Sequence, residues 1–387
     1  MTEWQKVKLG EVTDSCLGKM LDAAKNRGEY QPYLANLNVR WGYFETDNLS
    51  LMKFEEDEEE RYGIKYGDLI ICEGGEPGRC AIWKDQIPGM KIQKALHRVR
   101  PKNGLIDNFY LYYWFLLAGK RNIINQYCTG STIKHLPGQK LKEILIDLPP
   151  LPVQRRIAEA LSRYDALIEN YQRQIKLLEE AAQRLYKEWF VDLRFPGHQS
   201  TPIINNLPQA WQKKKLGEIL VFFDKKRKPL SSMQRMSMEK IFPYYGAATL
   251  MDYVDDYLFD GIYLLLGEDG TVITPENYPV LQYVWGKFWV NNHAHVLRGT
   301  DGISTEYLYM MFKEMPISDV VTGAAQPKIS QGRLSEKSII LPSIELIQKW
   351  SNVTKPFFDS IRNKTEQIRN LSEARDRLLP KLMSGEA

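Results

Sequence analysis

Apolar and aromatic side chains recur at Ile157, Leu161, Tyr164, Ile168, Tyr171, Ile175, Leu178, Ala182, Leu185 and Trp189. The spacings alternate four and three without a break, which is the a/d seam of a helix that packs on another helix. Pro152 stands where a helix begins, and Pro196-Gly197 cannot continue one. A shift of 193 residues gives a second seam: Trp350, Thr354, Phe357, Ile361, Lys364, Ile368, Leu371, Arg375, Leu378 and Leu382. It is poorer at Thr354, Lys364 and Arg375. The pattern predicts that Ile157, Leu161, Ile168, Ile175, Leu178 and Leu185 pack against Phe357, Ile361, Ile368, Leu371 and Leu378. An amphipathic helix lying on its own domain is the alternative.

Outside these stretches the apolar runs are short and interrupted by turn residues. Asp68–Cys72 (DLIIC) and Ala81-Ile-Trp83 predict strands around a glycine-rich turn, and Gly261–Leu266 (GIYLLL) and Thr271-Val-Ile273 predict the same pair again. Tyr110–Ala118 and Tyr307–Phe312 predict short buried helices.

These echoes belong to a duplication of the whole chain. Trp4–Val12 (WQKVKLGEV) returns as Trp211–Ile219 (WQKKKLGEI), a repeat that chance does not explain. In the same order Pro32-Tyr33 is matched by Pro243-Tyr244, Tyr110-Leu-Tyr112 by Tyr307-Leu-Tyr309, Thr129-Gly130 by Thr322-Gly323, and Leu148-Pro149 by Leu341-Pro342. The expected fold is α+β. It has two similar strand-rich domains, residues 1–150 and 196–342, separated by two long helices, residues 151–195 and 343–387. The helices are expected to pack as an antiparallel coiled coil with pseudo-two-fold symmetry.

Composition narrows the function only a little. The net charge of +4 is mildly basic and does not by itself mark a nucleic-acid binder. No apolar run is long enough to span a bilayer. The four cysteines, Cys16, Cys72, Cys80 and Cys128, lack close pairing and are read as reduced thiols of a cytoplasmic protein. The acidic run Glu55–Glu60 is expected to be a solvated face.

Position matters more than total charge. Lys225, Lys226, Arg227, Lys228 and Arg235 lie between the second WxxxxLGE element and its Pro-Tyr partner, and Lys19, Lys25, Asn26 and Arg27 lie in the equivalent stretch of the first copy. Two further polar segments repeat: Lys91, Lys94 and His97 with Asn291, Asn292 and His293, and Lys134 with Lys328. Lysine and arginine neutralise phosphates, and Arg, Asn and Gln read base edges. These residues are the DNA-contact candidates. A solubilising surface is the alternative for any one run, but its repetition at equivalent loops favours DNA. The first long helix, from Ile157 to Phe190, spans about 50 Å, or roughly one and a half turns of duplex at about 34–36 Å each.

Catalytic motifs are missing. There is no GxGxxG, no Walker A and no HExxH. Asp147-Leu-Pro-Pro-Leu151 is not a methyltransferase loop and reads as a strand-to-helix junction. His293 and His295 have no ligand partner near them in sequence, so no metal is expected. The residues alone support a two-domain binding protein with a helical spacer. They leave open a fused or stand-alone methyltransferase or nuclease, and a helical adaptor that binds protein or carbohydrate.

The ordered set of motifs resembles the specificity subunits of Type I restriction–modification systems. The paired WxxxxLGE starts, Pro243-Tyr-Tyr-Gly246, Tyr257-Leu-Phe-Asp-Gly261, Leu266-Gly-Glu-Asp-Gly270, Arg194-Phe-Pro-Gly197 and both Leu-Pro junctions carry the resemblance. It implies two target-recognition domains that each read half of a split, asymmetric site on double-stranded DNA. It implies a non-catalytic chain with no cofactor of its own, partnered by two methyltransferase subunits that bind S-adenosylmethionine and methylate adenine. Restriction subunits that use ATP and Mg would join that core, in the cytoplasm of a prokaryote.

Overall fold

The computed structural model describes residues 4–22, 26–102, 104–300, 302–323 and 326–386. They form two compact units: one holds the chain up to Asn170 together with the residues from Ile368, the other Tyr171–Gln367. Each unit therefore contains one strand-rich domain and a portion of both long helices.

In the first unit a four-stranded antiparallel sheet runs in the order Thr13–Leu17, Leu96–Pro101, Leu69–Cys72, Cys80–Ile82. Leu69 and Ile71 face a core built with the helix Asn108–Lys120, while Ile70 and Cys72 face Leu34, Trp83 and Ile92. Both faces are covered, which is why DLIIC is a continuous apolar run and not an alternating one. A smaller sheet orders Ser50–Phe54, Glu29–Leu34 and Lys91–Ile92, with Tyr33 paired in parallel to Lys91.

The second unit repeats this plan with the order Leu220–Phe222, Ala294–Gly299, Tyr263–Gly267, Leu281–Val284. Leu264 and Leu266 face the core that includes helix Thr305–Lys313, and Leu265 faces Phe259 and Phe288. The expected strand Thr271-Val-Ile273 is not formed. Ile273 makes an isolated bridge to Pro279, and the edge position is taken by Leu281–Val284. The turn after Gly267 is thus longer in this domain than its counterpart after Cys72.

The WxxxxLGE motif and the Leu-Pro junction prove to be one device. Gln5–Lys8 pairs antiparallel with Leu145–Leu148, and Gln212–Lys215 pairs in the same way with Ser338–Leu341. Each domain is closed by its own first and last strands, immediately before a long helix starts. Leu9 and Leu216 are buried, and their amides donate to the carbonyls of Ile144 and Lys337 at 2.8 and 2.9 Å. A Cβ at Gly10 would stand 2.9 Å from the Lys142 Cβ, and one at Gly217 2.9 Å from the Ser335 Cβ, so close packing requires glycine. Glu218 accepts a 2.9 Å hydrogen bond from the Lys215 amide and caps the turn.

The helices are Leu151–Tyr186 and Ile344–Ser384, of 36 and 41 residues. A π-turn, Lys187–Val191, ends the first and lets the adjacent Trp189 and Phe190 both be buried. Within each unit the two helices run antiparallel. In the first, Arg375 donates to Asp165 at 2.7 Å, and Leu161 shares a core with Leu379 and Met383 further along. In the second, the Lys364 ammonium lies 5.1 Å from the Tyr171 ring centre, and Tyr186 meets Trp350 edge-on at 6.0 Å.

Ile157, Leu161, Ile168 and Ile361 are buried, and Ile175, Leu178, Leu185, Phe357, Ile368, Leu371 and Leu378 are half-buried. The second seam keeps Trp350, Thr354 and Ile361 buried in the expected register, and Phe358, Leu379 and Met383 are buried beside the half-buried Phe357, Leu378 and Leu382. The three weak positions are all satisfied. Thr354 is fully buried and its hydroxyl donates to the Trp350 carbonyl at 3.0 Å, while Lys364 and Arg375 have the partners just given. Asp165 also accepts from the Tyr113 hydroxyl at 2.6 Å, tying the first helix to the domain's own helix. Burial, reinforced by that carboxylate, pushes the Tyr113 phenol far above its usual range, so it remains a donor. Among the described residues no helix is long and apolar enough to cross a membrane.

Truncation at the two neighbouring phenylalanines separates the buried position from the half-buried one. Phe358→Ala is expected to lower unfolding stability by about 3–5 kcal/mol, and Phe357→Ala by under about 2 kcal/mol, in urea unfolding of the full chain. The reverse order would make Phe357 the core residue.

Candidate nucleic-acid interface

Four loops of the second domain meet around one carboxylate, Glu268. Its amide donates to the His293 carbonyl at 2.8 Å, and its carbonyl accepts from the Ile329 amide at 2.8 Å. Its side chain accepts from Arg227 at 2.6 Å and lies 3.5 Å from the Lys328 ammonium. The segment after Leu220–Phe222, the 267–270 turn, the 291–293 turn and the hairpin Val321–Thr322/Lys328–Ile329 are thereby joined at one end of the sheet.

The first domain repeats the backbone part of this joint at Glu73. Its amide donates to Ala95 and its carbonyl accepts from the Leu136 amide, at 2.8 and 2.7 Å. The Lys94 amide donates to the Lys19 carbonyl at 2.7 Å, and Thr129 and His135 exchange backbone hydrogen bonds at 2.8 and 2.9 Å. The repeated Thr-Gly turns these hairpins. Gly130 and Gly323 have φ of +92° and +83°, and a Cβ there would lie 2.2 and 2.4 Å from a backbone carbonyl oxygen.

A buried histidine pins each hairpin to the sheet. Nε2 of His97 lies 2.8 Å from the Leu136 carbonyl, and Nε2 of His295 lies 2.9 Å from that of Ile329. Burial lowers the His97 pKa, which favours the neutral ring with its proton on Nε2. His295 also faces Asp224 through Nδ1 at 2.6 Å. Asp224, Glu268 and His295 bring their ligand atoms within 4.8 Å of one another, as a metal site would. Arg227 already supplies a cation there, with Nη1 at 2.6 Å from Glu268 and Nη2 at 3.6 Å from Asp224.

Several of the DNA-contact candidates are buried or held by partners within their own domain. Lys19 is buried, and its ammonium is 2.5 Å from Glu58 and 2.9 Å from the Lys53 carbonyl. Lys91 is buried and paired with Glu59. His97 is the hairpin clamp. Asn291 is buried, and its Oδ1 accepts from the His293 amide at 2.8 Å. Arg227 is spent on Glu268, Asp224 and the Ala294 carbonyl. Arg235 binds Asp252 and the Leu230 carbonyl beneath the surface. The acidic run is likewise more than a solvated face, because Glu58 and Glu59 neutralise the two buried lysines.

The remaining described candidates keep solvent exposure. Arg27, Lys134, Lys225, Lys226, Lys228, Asn292, His293 and Lys328 are exposed, and Asn26 and Lys94 are half-buried. Asn26 accepts from the Lys53 amide at 2.9 Å, and His293 pairs with Asp269 at 2.5 Å. Lys25 lies outside the described residues. Sequence reasoning passed over Glu73 and Glu268. Their signal was present in the equivalent turns CEGGEPG and LLLGEDG, each with a glutamate directly after a buried strand.

A strand-rich domain that gathers four loops at one end of its sheet, built twice along one chain, defines a recognition protein with two reading modules. The family model for the Type I restriction modification DNA specificity domain matches residues 1–180 and 208–372, and the chain belongs to that family. The MjaIX specificity subunit of a Type I restriction enzyme from Methanocaldococcus jannaschii is 27% identical over 345 residues, 83% of this chain and 77% of the relative. The MjaVIII specificity subunit from the same organism is 23% identical and covers 99% of this chain and 92% of its own length. The crystal structure of the S subunit from M. genitalium shares the fold, with a TM-score of 0.57, 19% identity, and coverage of 98% and 96% of the two chains. The protein is a DNA-specificity subunit and a non-catalytic component of a restriction–modification system.

The buried and exposed lysines should separate experimentally. Replacing Lys225 and Lys226 together by alanine is expected to reduce the slope of log K against log salt by about 1.8, with an unchanged melting temperature. Lys19→Ala is expected to destabilise the domain by about 3 kcal/mol, because Glu58 loses its partner, and to leave that slope unchanged. Salt titrations of DNA binding alongside thermal melts check both, and an unaltered slope for the double variant would remove those lysines from the phosphate contacts.

Proposed function

We propose that each domain reads one half of a split, asymmetric site on double-stranded DNA through its four-loop cluster. The domains are assigned to residues 1–150 and 196–342, and the helical segments to 151–195 and 343–387. One observation carries the reading: the backbone joints at Glu73 and Glu268 match, and the exposed polar side chains of the loops they join differ. Arg27, Lys94 and Lys134 stand in one domain where Lys225, Lys226, Lys228, Asn292, His293 and Lys328 stand in the other. A shared scaffold with unlike reading surfaces suits an asymmetric target.

The helices fix the number of base pairs between the half-sites and dock two methyltransferase subunits. Those subunits bind S-adenosylmethionine and methylate adenine. Restriction subunits that use ATP and Mg complete the assembly, in the cytoplasm. This chain contributes no catalytic group and no cofactor. That division of labour follows the family, whose members serve methyltransferase and restriction partners in general.

A domain exchange tests the assignment. Residues 196–342 are replaced by the corresponding domain of another family member, and the chain is expressed with its methyltransferase. Single-molecule sequencing of cellular DNA is expected to show a methylated motif with one half changed and the other retained. An unchanged motif, or one altered in both halves, would refute the one-domain, one-half-site reading.

A further inference from the structure

The second domain carries two large apolar side chains where solvent exposure is unfavourable. Met233 and Met236 are 82% and 81% exposed. They lie three residues apart on the short helix Ser232–Met236 and so share one face. Isolated exposed apolar residues are ordinary, but this pair stands on a loop that is held firmly in place.

The anchors of that loop are all visible. The Trp289 indole donates to the Lys228 carbonyl at 2.6 Å, and the Leu230 amide donates to the Tyr244 hydroxyl at 3.0 Å. Leu230 itself is buried beside Tyr244 and Trp289. Ser231 and Gln234 form a capping box, with hydrogen bonds of 2.9 and 3.2 Å. Arg235 turns inward, to Asp252 at 3.1 Å and over the Tyr244 ring at 4.9 Å. Lys240 donates to the Arg235 carbonyl at the helix end, at 2.7 Å. These hydrogen bonds fix the turn, and the two thioethers stand exposed on it beside Ser231, Ser232 and Gln234.

The surroundings indicate what the pair meets. This segment follows directly on the exposed Lys225, Lys226 and Lys228. A surface of cations bordering an apolar tip matches a phosphate backbone bordering the one apolar group on the major-groove edge, the thymine C5-methyl. The equivalent loop of the first domain shows a similar pairing, with Met20 and Leu21 exposed at 42% and 58% and Arg27 exposed after them.

We infer that Met233 and Met236 read thymine by packing on its methyl group in the half-site of the second domain. The inference rests on the reading of this loop as DNA-facing. It adds a specificity element that polar-residue reasoning does not reach.

The test uses the full chain assembled with its methyltransferase and duplexes that carry the methylated motif found in cells. Thymines of the second domain's half-site are replaced one at a time by deoxyuridine, which lacks only the methyl group. The wild-type complex is expected to lose about fourfold in affinity at one or two positions, the worth of a buried methyl group. Met233→Ala with Met236→Ala should bind the thymine duplex more weakly and no longer distinguish it from the deoxyuridine duplex. Because both side chains are exposed, the variant removes no core, and a melting curve verifies that it folds. A variant with undiminished deoxyuridine discrimination would overturn the inference, as would a wild type that is indifferent to every substitution. Loss of assembly with the methyltransferase, while discrimination is retained, would assign the methionines to a protein contact and overturn it too. The Lys225→Ala, Lys226→Ala variant keeps the two readings apart. If that variant weakens DNA binding and the methionines do not matter, the loop still faces DNA and only the methyl-reading role fails.

Discussion

Everything else in each domain depends on the pairing of its first strand with its last. Gln5–Lys8 lies against Leu145–Leu148, and Gln212–Lys215 against Ser338–Leu341, in the same antiparallel arrangement. The pairing closes the domain just where the chain enters a long helix, so helix and sheet share one rigid attachment. Without it the two ends of each domain would be untied beside the four-stranded sheet, which begins at Thr13 in one domain and Leu220 in the other. The WxxxxLGE repeat follows from this constraint. It supplies a strand, a buried leucine, a glycine that admits close approach and, most clearly in Glu218, a glutamate that caps the turn.

The loop clusters show how charge is divided between holding the loops and facing solvent. The buried Lys19 and Lys91 and the half-buried Arg227 are each neutralised by a nearby carboxylate, and holding such charges away from water unpaired would be costly. They make the loops rigid and are unavailable to a ligand. The exposed cations lie on the same loops, some of them one or two residues away. Preorganisation of this kind allows a modestly basic protein to present a locally basic surface, which a net charge of +4 conceals.

Much of this was legible in the sequence because duplication and heptad spacing are long-range patterns that survive substitution. The two helices, the paired helices at Tyr110 and Tyr307, and the four repeated loops all follow from them. What was not legible depended on partners remote in sequence. Lys19 resembles Arg27 in composition, and only Glu58, 39 residues away, makes it structural. Glu59 does the same for Lys91 from 32 residues away. In the second seam Phe358 and Leu379 are buried beside the half-buried Phe357 and Leu378, a choice between neighbouring positions of one apolar face that spacing alone does not make. The strand at Thr271–Ile273 was lost to a longer turn, which spacing alone does not reveal. The methionine pair carries no strong donor or acceptor, so charge and polarity along the chain do not mark it.

The central claim is that DNA meets the four-loop end of both domains and not the faces of the sheets. Hydrogen exchange of the full chain in complex with its methyltransferase, with and without a duplex carrying its motif, tests this directly. Bound DNA is expected to slow exchange in residues 129–135, 225–240, 291–293 and 326–329, and to leave the closing strand pairs unchanged. Protection confined to the sheet faces or the long helices, with these loops exchanging as before, would contradict the account.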